Sequence, residues 1–154
     1  MPGYKGHLAG AAVTYAIGLY FLMGFEPSGI TMAEWFMCTC AGALFPDVDI
    51  KSKGQKLLYR ILLILFGFLL LTERYQLLSF VSILAIVPMI VRHRGLFHNI
   101  WFVVFFPVTV ASIIGFLFPG YQTLLYYDIL FFVAGAISHL WLDLGFKRML
   151  RIKT

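Results

Sequence analysis

The stretch Asn99–Phe118, NIWFVVFFPVTVASIIGFLF, runs for 20 residues without a charged side chain. As a helix it is long enough to cross a hydrocarbon core about 30 Å thick. Leu8–Phe25 is a second uncharged stretch, of 18 residues. The whole chain is 61% hydrophobic and only 12% charged, about half the charged share of a soluble domain. Because no soluble fold of this size can bury so much apolar surface, the sequence predicts an integral membrane protein.

Four shorter apolar stretches complete the prediction. They are Thr31–Phe45, Leu57–Thr72, Leu77–Val91 and Ile129–Phe146. Glu34 and Arg60 lie near the ends of the first two, where a long side chain can reach the interface, although a re-entrant pair is the alternative there. We therefore expect an all-α, polytopic membrane helix bundle of about six short transmembrane helices. Without a repeat or a linker, one domain over residues 1–154 is expected.

The basic residues orient the six predicted spans. An even number of crossings places eleven of the 12 lysines and arginines on one side and leaves Arg74 alone on the other. Since cytoplasmic loops collect Lys and Arg, both termini are predicted to be cytoplasmic, in the inner membrane. The apolar run after Lys5 begins with small residues instead of ending with them, so a cleaved signal peptide is not expected. Membrane lipid is the expected partner of the net charge of +5, and nucleic acid is not.

Histidines and aspartates collect on the same predicted side. They are His7, Asp47, Asp49, His93, His98, His139 and Asp143. His139 and Asp143 are four residues apart within an apolar run, which places them on one helix face. Ionisable groups inside a span usually mark a functional site, although a buried His–Asp hydrogen bond that fixes helix packing is the alternative.

Two loop motifs accompany this pair. Pro46 is expected to end a helix and hold Asp47 and Asp49 at the membrane surface, with a solvated turn as the alternative. Gly95 permits a tight turn between His93 and His98, and the alternative is two interfacial histidines that contact lipid head groups. Beside them, Arg92 and Arg94 are candidates to bind a substrate phosphate, unless they only follow the positive-inside rule.

Imidazoles and carboxylates together are typical ligands of zinc, with manganese or iron as further candidates. Four histidines and three aspartates exceed the needs of one tetrahedral ion, so one or two ions are expected. A carboxylate that binds no metal is a candidate general base, and Asp47, Asp49 and Asp143 all qualify. Cys38 and Cys40 point to opposite sides of a helix and are expected to be packing residues.

These motifs carry a family resemblance that covers nearly the whole chain. They are Gly6-His7, Phe45-Pro46-Asp47-Val48-Asp49, His93-Arg94-Gly95 followed by His98, and Ser138-His139 followed by Asp143. In this order they resemble the YdjM/YbcI family of inner-membrane proteins and, more distantly, zinc-dependent phospholipase C. The resemblance implies a metal-dependent hydrolase in which all seven histidines and aspartates bind metal or activate water.

Three functions are compatible with this pattern. The first is a membrane-embedded hydrolase that acts on a lipid or other phosphoester at the cytoplasmic leaflet. The second is a transporter or channel for divalent ions or protons, which requires polar groups that continue across the bundle. The third is a metal-binding membrane protein without catalysis. We expect the hydrolase, because the ionisable groups form a cup on one side of the membrane.

Overall fold

A computed structural model describes residues 3–48, 53–90 and 97–145. In this part of the chain six α-helices and three short 3-10 turns occur, and no strand. The helices are α1 Tyr4–Leu22, α2 Gly29–Leu44, α3 Lys53–Leu71, α4 Tyr75–Ile90, α5 Ile100–Leu117 and α6 Gln122–Leu144. The all-α fold class is therefore confirmed, and every predicted span corresponds to one helix. The prediction of a single domain over residues 1–154 stays a prediction.

Four helices are long and apolar enough to cross a membrane. They are α1 with its following 3-10 turn, α3, α5 and α6. The other two, α2 and α4, have 16 residues each and rise about 24 Å, slightly less than a hydrocarbon core. Each of the two is a single helix without a break. The number of crossings and the cytoplasmic position of the termini stay predictions.

Local sequence explains several helix ends. The Ser28 hydroxyl accepts a hydrogen bond from the Thr31 backbone N–H and caps α2, and Asn99 caps α5 in the same way through the N–H of Trp101. Pro46 lies in the 3-10 turn Phe45–Asp47 and follows the end of α2, as predicted. Helix α6 begins at Gln122 rather than Ile129, because the polar residues Gln122, Thr123 and Asp128 interrupt the apolar run without interrupting the helix.

The centre of the bundle is the pair α2 and α6. Two glycines allow their backbones to touch. A Cβ on Gly42 would collide with the backbone oxygen of Phe132, and a Cβ on Gly135 would collide with that of Thr39. Small residues of this kind are what permits close helix packing in membranes. Helices α1, α3 and α5 pack against this pair.

The two ends of the bundle differ in their charged groups. His7, Asp47 and Asp143 lie at one end, here called the site end, where α1, α3 and α5 also begin. At the opposite end the buried Glu34 pairs with Arg74, with 3.4 Å between Oε1 and Nε. Between the two ends the core is apolar and aromatic, and both cysteines are buried and free, as expected of packing residues.

The outer surface is apolar. Leu71 is 87% exposed, Phe116 81% and Tyr20 78%. Large exposed apolar surfaces are rare in soluble monomers and are the normal surface of a protein in lipid. The exposed faces therefore agree with a bundle surrounded by hydrocarbon.

Candidate metal centre

Four side chains from three parts of the chain converge at the site end. Asp47, His98, His139 and Asp143 each offer one nitrogen or oxygen atom, and these atoms lie within 4.8 Å of one another. Asp47 follows α2, His98 precedes α5, and the other two lie on α6. The packing of α2, α5 and α6 thus brings together groups that are far apart in sequence.

His139 is the most buried member of the cluster. Its side chain is fully buried, and its Nδ1 lies 2.7 Å from the carbonyl oxygen of Ala43 on α2. A carbonyl oxygen only accepts, so Nδ1 donates and carries the proton of the neutral ring. The lone pair of Nε2 therefore points at the carboxylates, 3.6 Å from Asp47 Oδ1 and 3.5 Å from Asp143 Oδ2. A backbone acceptor on the distal nitrogen is the usual arrangement of a metal-binding histidine.

Asp143 lies between two imidazoles. Its Oδ2 faces His139, and its Oδ1 lies 3.4 Å from Nε2 of His7. The ring of His7 stacks on that of His139, with 3.8 Å between centroids and 17° between planes. The first predicted span begins at Leu8, but α1 begins at Tyr4, so His7 lies inside the helix and is buried. The longer helix places this histidine against α6 instead of in solvent.

Asp47 and His98 form the more open side of the cluster. Their side chains are 25% and 20% exposed, and Asp47 Oδ1 lies 3.5 Å from His98 Nε2. Hydrogen bonding to His98 is the main cause that lowers the pKa of Asp47 below its ordinary value. Partial burial opposes this shift, and the charges of His139, His98 and His7 add to it. The carboxylate is therefore ionised at neutral pH, as a metal ligand must be.

The geometry fits a divalent ion. Ligand atoms about 2.0–2.1 Å from one tetrahedral ion lie about 3.4 Å from each other. Four nitrogen–oxygen pairs at the site are 3.4 to 3.6 Å apart, longer than good hydrogen bonds, and all the ligand atoms of the cluster lie within 4.8 Å of one another. Nε2 of His139 and Oδ1 of Asp143 are buried without a hydrogen-bond partner in the described residues. Such groups are costly unless something binds them, and a cation among them would remove that cost.

The structure thus brings together five of the seven predicted ligands. They are His7, Asp47, His98, His139 and Asp143. Asp49 and His93 lie outside the described residues, as do the predicted phosphate ligands Arg92 and Arg94. For these four the predictions stay predictions.

Two features of the site were not predicted from the sequence. The carbonyl of Ala43 orients His139, and no side chain signals such a role. The glycines that let α2 approach α6 do leave a signal, because Gly42 lies within Ala41-Gly42-Ala43, and Gly135 lies one helical turn before His139. Small residues on α2 and one turn before His139 on α6 therefore indicate that these two helices pack closely.

Comparison with known proteins places the chain in a family. A search of curated proteins and a search of solved structures each found no match. The sequence profile described as YdjM inner membrane protein matches residues 1–149, nearly the entire chain. The resemblance to this family noted from the motifs is therefore confirmed, and the more distant likeness to phospholipase C stays a prediction. This chain, with its His/Asp cluster at one end of a membrane helix bundle, belongs to the YdjM inner membrane protein family.

Proposed function

We propose that this protein is a metal-dependent hydrolase that acts on a lipid or other phosphoester at the inner leaflet. The observation that carries the proposal is the buried Nε2 of His139, which faces two carboxylates and has no hydrogen-bond partner among the described residues. A buried polar atom without a hydrogen-bond partner lowers the stability of the fold. A cation bound among these groups would remove that cost.

The described ligands would be His139, Asp143, Asp47 and His98. His7 contacts the carboxylate of Asp143. Zinc is the ion that this donor set favours, with manganese or iron as alternatives. A bound ion of this kind lowers the pKa of water and neutralises charge on a phosphoryl oxygen. The predicted ligands Asp49 and His93 would complete a second ion site.

The two aspartates of the cluster differ in exposure, and we assign them different roles. Asp143 contacts two buried imidazoles and is only 5% exposed, so it fixes both rings. Asp47 is more exposed and ionised, and its carboxylate lies on the open side of the cluster. We therefore assign Asp47 the ligand position on the side of the cluster where water and substrate would reach the ion. A substrate would enter from the side of Asp47 and His98.

An amphiphilic substrate agrees with the position of the cluster. Its members lie at the ends of membrane helices, whose outer faces are apolar. A phosphoester at head-group depth could approach the cluster sideways from the leaflet. In this proposal Arg92 and Arg94 hold the substrate phosphate, and the positive-inside rule places the site at the cytoplasmic face.

Asp143→Asn tests the proposal with little change of shape. Purified wild-type protein is expected to hold about one or two equivalents of a transition metal and to hydrolyse a phospholipid in mixed micelles. A chelator should abolish turnover, and zinc should restore it. The Asp143→Asn variant should lose most of both metal and turnover, measured by elemental analysis and by release of the phosphate-containing product.

Asp128→Asn is the matched control. Asp128 is also a buried carboxylate on α6, but it lies toward the opposite end of the helix. This variant should keep its metal and its turnover. If Asp143→Asn folds, retains metal and hydrolyses lipid like the wild type, the assigned site is wrong. Stoichiometric metal without hydrolysis of any phosphoester lipid would contradict the enzyme and leave a metal-binding protein.

A further inference from the structure

A basic groove lies at the site end, between the beginnings of α1 and α3. Its volume is about 250 Å³, and it is lined by Tyr4, Lys53, Lys56, Leu57 and Arg60. Three cationic side chains and one phenol therefore surround a space large enough for a phosphate head group. Among the residues that the structure describes, no acidic side chain lines the groove.

The cationic residues follow one face of α3. Lys53, Lys56 and Arg60 have the spacing i, i+3 and i+7, which places them in one stripe. All three residues are exposed, whereas Gly54 and Leu58 between them are buried. The three basic side chains therefore lie together on one exposed face of α3.

The same stripe continues as an apolar surface. Ile64 and Leu71 are 65% and 87% exposed, and they extend the line of Lys53 and Arg60 along the helix. Gly67 lies between them, and a Cβ there would meet nothing within 4 Å. One face of α3 is thus basic at the site end and apolar along the rest of its length. This face complements an anionic lipid, whose head group is negatively charged and whose acyl chain is apolar.

The positive-inside rule alone does not require this arrangement. It requires basic residues on one side of the membrane, but no groove, no common helix face and no aromatic hydroxyl. Tyr4 belongs to a different helix from the three cations, so the groove is built by tertiary packing. A phenol O–H and two ammonium groups offer hydrogen bonds to phosphate oxygens, and the guanidinium of Arg60 offers a bidentate pair.

We propose that this groove binds the head-group phosphate of an anionic phospholipid, with one acyl chain along the apolar part of α3. Tyr4 lies one turn before His7 on α1, so a lipid held here is next to the His/Asp cluster. The binding itself does not depend on the metal or on hydrolysis. The proposal rests on Tyr4, Lys53, Lys56 and Arg60 and makes no use of the predicted phosphate ligands Arg92 and Arg94.

The test is retention of phosphatidylglycerol by the full-length protein in a mild detergent, counted by native mass spectrometry. Each basic residue near an anionic lipid contributes enough attraction that Lys53→Gln, Lys56→Gln and Arg60→Gln together should weaken retention on the order of 10- to 100-fold. Gly67→Leu should also weaken it without a change of charge, because the new side chain would occupy the apolar face of α3 along which the acyl chain is proposed to lie.

The matched control removes three other cations from the predicted cytoplasmic side, as Lys147→Gln, Arg148→Gln and Arg151→Gln. It should retain phosphatidylglycerol like the wild type. An equal loss in both triple variants would show a general charge effect and overturn the proposal. So would retention of phosphatidylcholine equal to that of phosphatidylglycerol, or displacement of the lipid by an equal concentration of inorganic phosphate.

Asp143→Asn separates this proposal from the proposed enzyme. The variant should lose metal but keep phosphatidylglycerol, because Asp143 does not line the groove. If the wild type retains the lipid and holds no metal, the groove stands and the enzyme fails. If metal and turnover are found but no anionic lipid is retained, the groove fails and the enzyme stands.

Discussion

His139→Ala is expected to release the bound metal and reduce phosphoester turnover to background. The imidazole is fully buried and is fixed by Ala43 on one side and by the stacked ring of His7 on another. From this fixed position His139 faces both Asp47 and Asp143, so its removal opens the centre of the cluster. Loss of an outer contact to a metal ligand costs about 10- to 100-fold in affinity, and loss of the ligand itself should cost more.

Ser138→Ala is the control for this substitution. Ser138 is the preceding residue, is buried, and donates its hydroxyl proton to the Gly135 carbonyl within the same helix. Its variant should bind metal normally by elemental analysis. Size-exclusion chromatography and circular dichroism should show both variants folded. A folded His139→Ala protein with a full complement of metal would remove His139 from the site.

Gly135→Ala is expected to separate α2 from α6 and destabilise the bundle. The added methyl group would overlap the backbone oxygen of Thr39, and a backbone atom cannot turn away as a flexible side chain can. Overpacking in a core costs about 1–3 kcal/mol, and a backbone clash should lie at the upper end or beyond. Because Gly135 lies one turn before His139, the contact with Ala43 should be lost too. Thermal unfolding and metal content would show the two effects.

Gly67→Ala makes the same chemical change at a helical position with open space around it. No atom lies within 4 Å of the added Cβ, and alanine favours a helix over glycine by about 1 kcal/mol. This variant should be as stable as the wild type or more so. Gly10→Ala should be intermediate, since its Cβ would meet only the movable end of Leu142. If Gly135→Ala unfolds like Gly67→Ala, the close contact of α2 and α6 is wrong.

The helices and half of the site follow from sequence patterns. Uncharged runs and the cost of unsatisfied backbone in lipid make each predicted span a helix, and α5 begins within one residue of the expected position. The spacing of His139 and Asp143 placed both on one face, and even topology brought them to the end where Asp47 and His98 lie. Both inferences rest on local periodicity, which a single sequence displays.

Contacts between helices do not follow from local periodicity. Hydropathy does not say which helix packs against which, so the Ala43 carbonyl and the stacking of His7 on His139 could not be derived. In the sequence, the positive-inside rule accounts for the basic stripe on α3. Its spacing was visible, but the groove also needs Tyr4 from α1, and that neighbour appears only in the folded chain.

The most direct measurement is anomalous X-ray scattering at the zinc edge from crystals of the full-length protein grown with zinc. We expect a peak about 2.0–2.2 Å from Nε2 of His139 and from oxygens of Asp47 and Asp143, with His98 as a further neighbour. A second peak would mark a second ion. Crystals in which these side chains are ordered but no anomalous peak lies among them, or in which zinc binds only Cys38 or Cys40, would contradict the site.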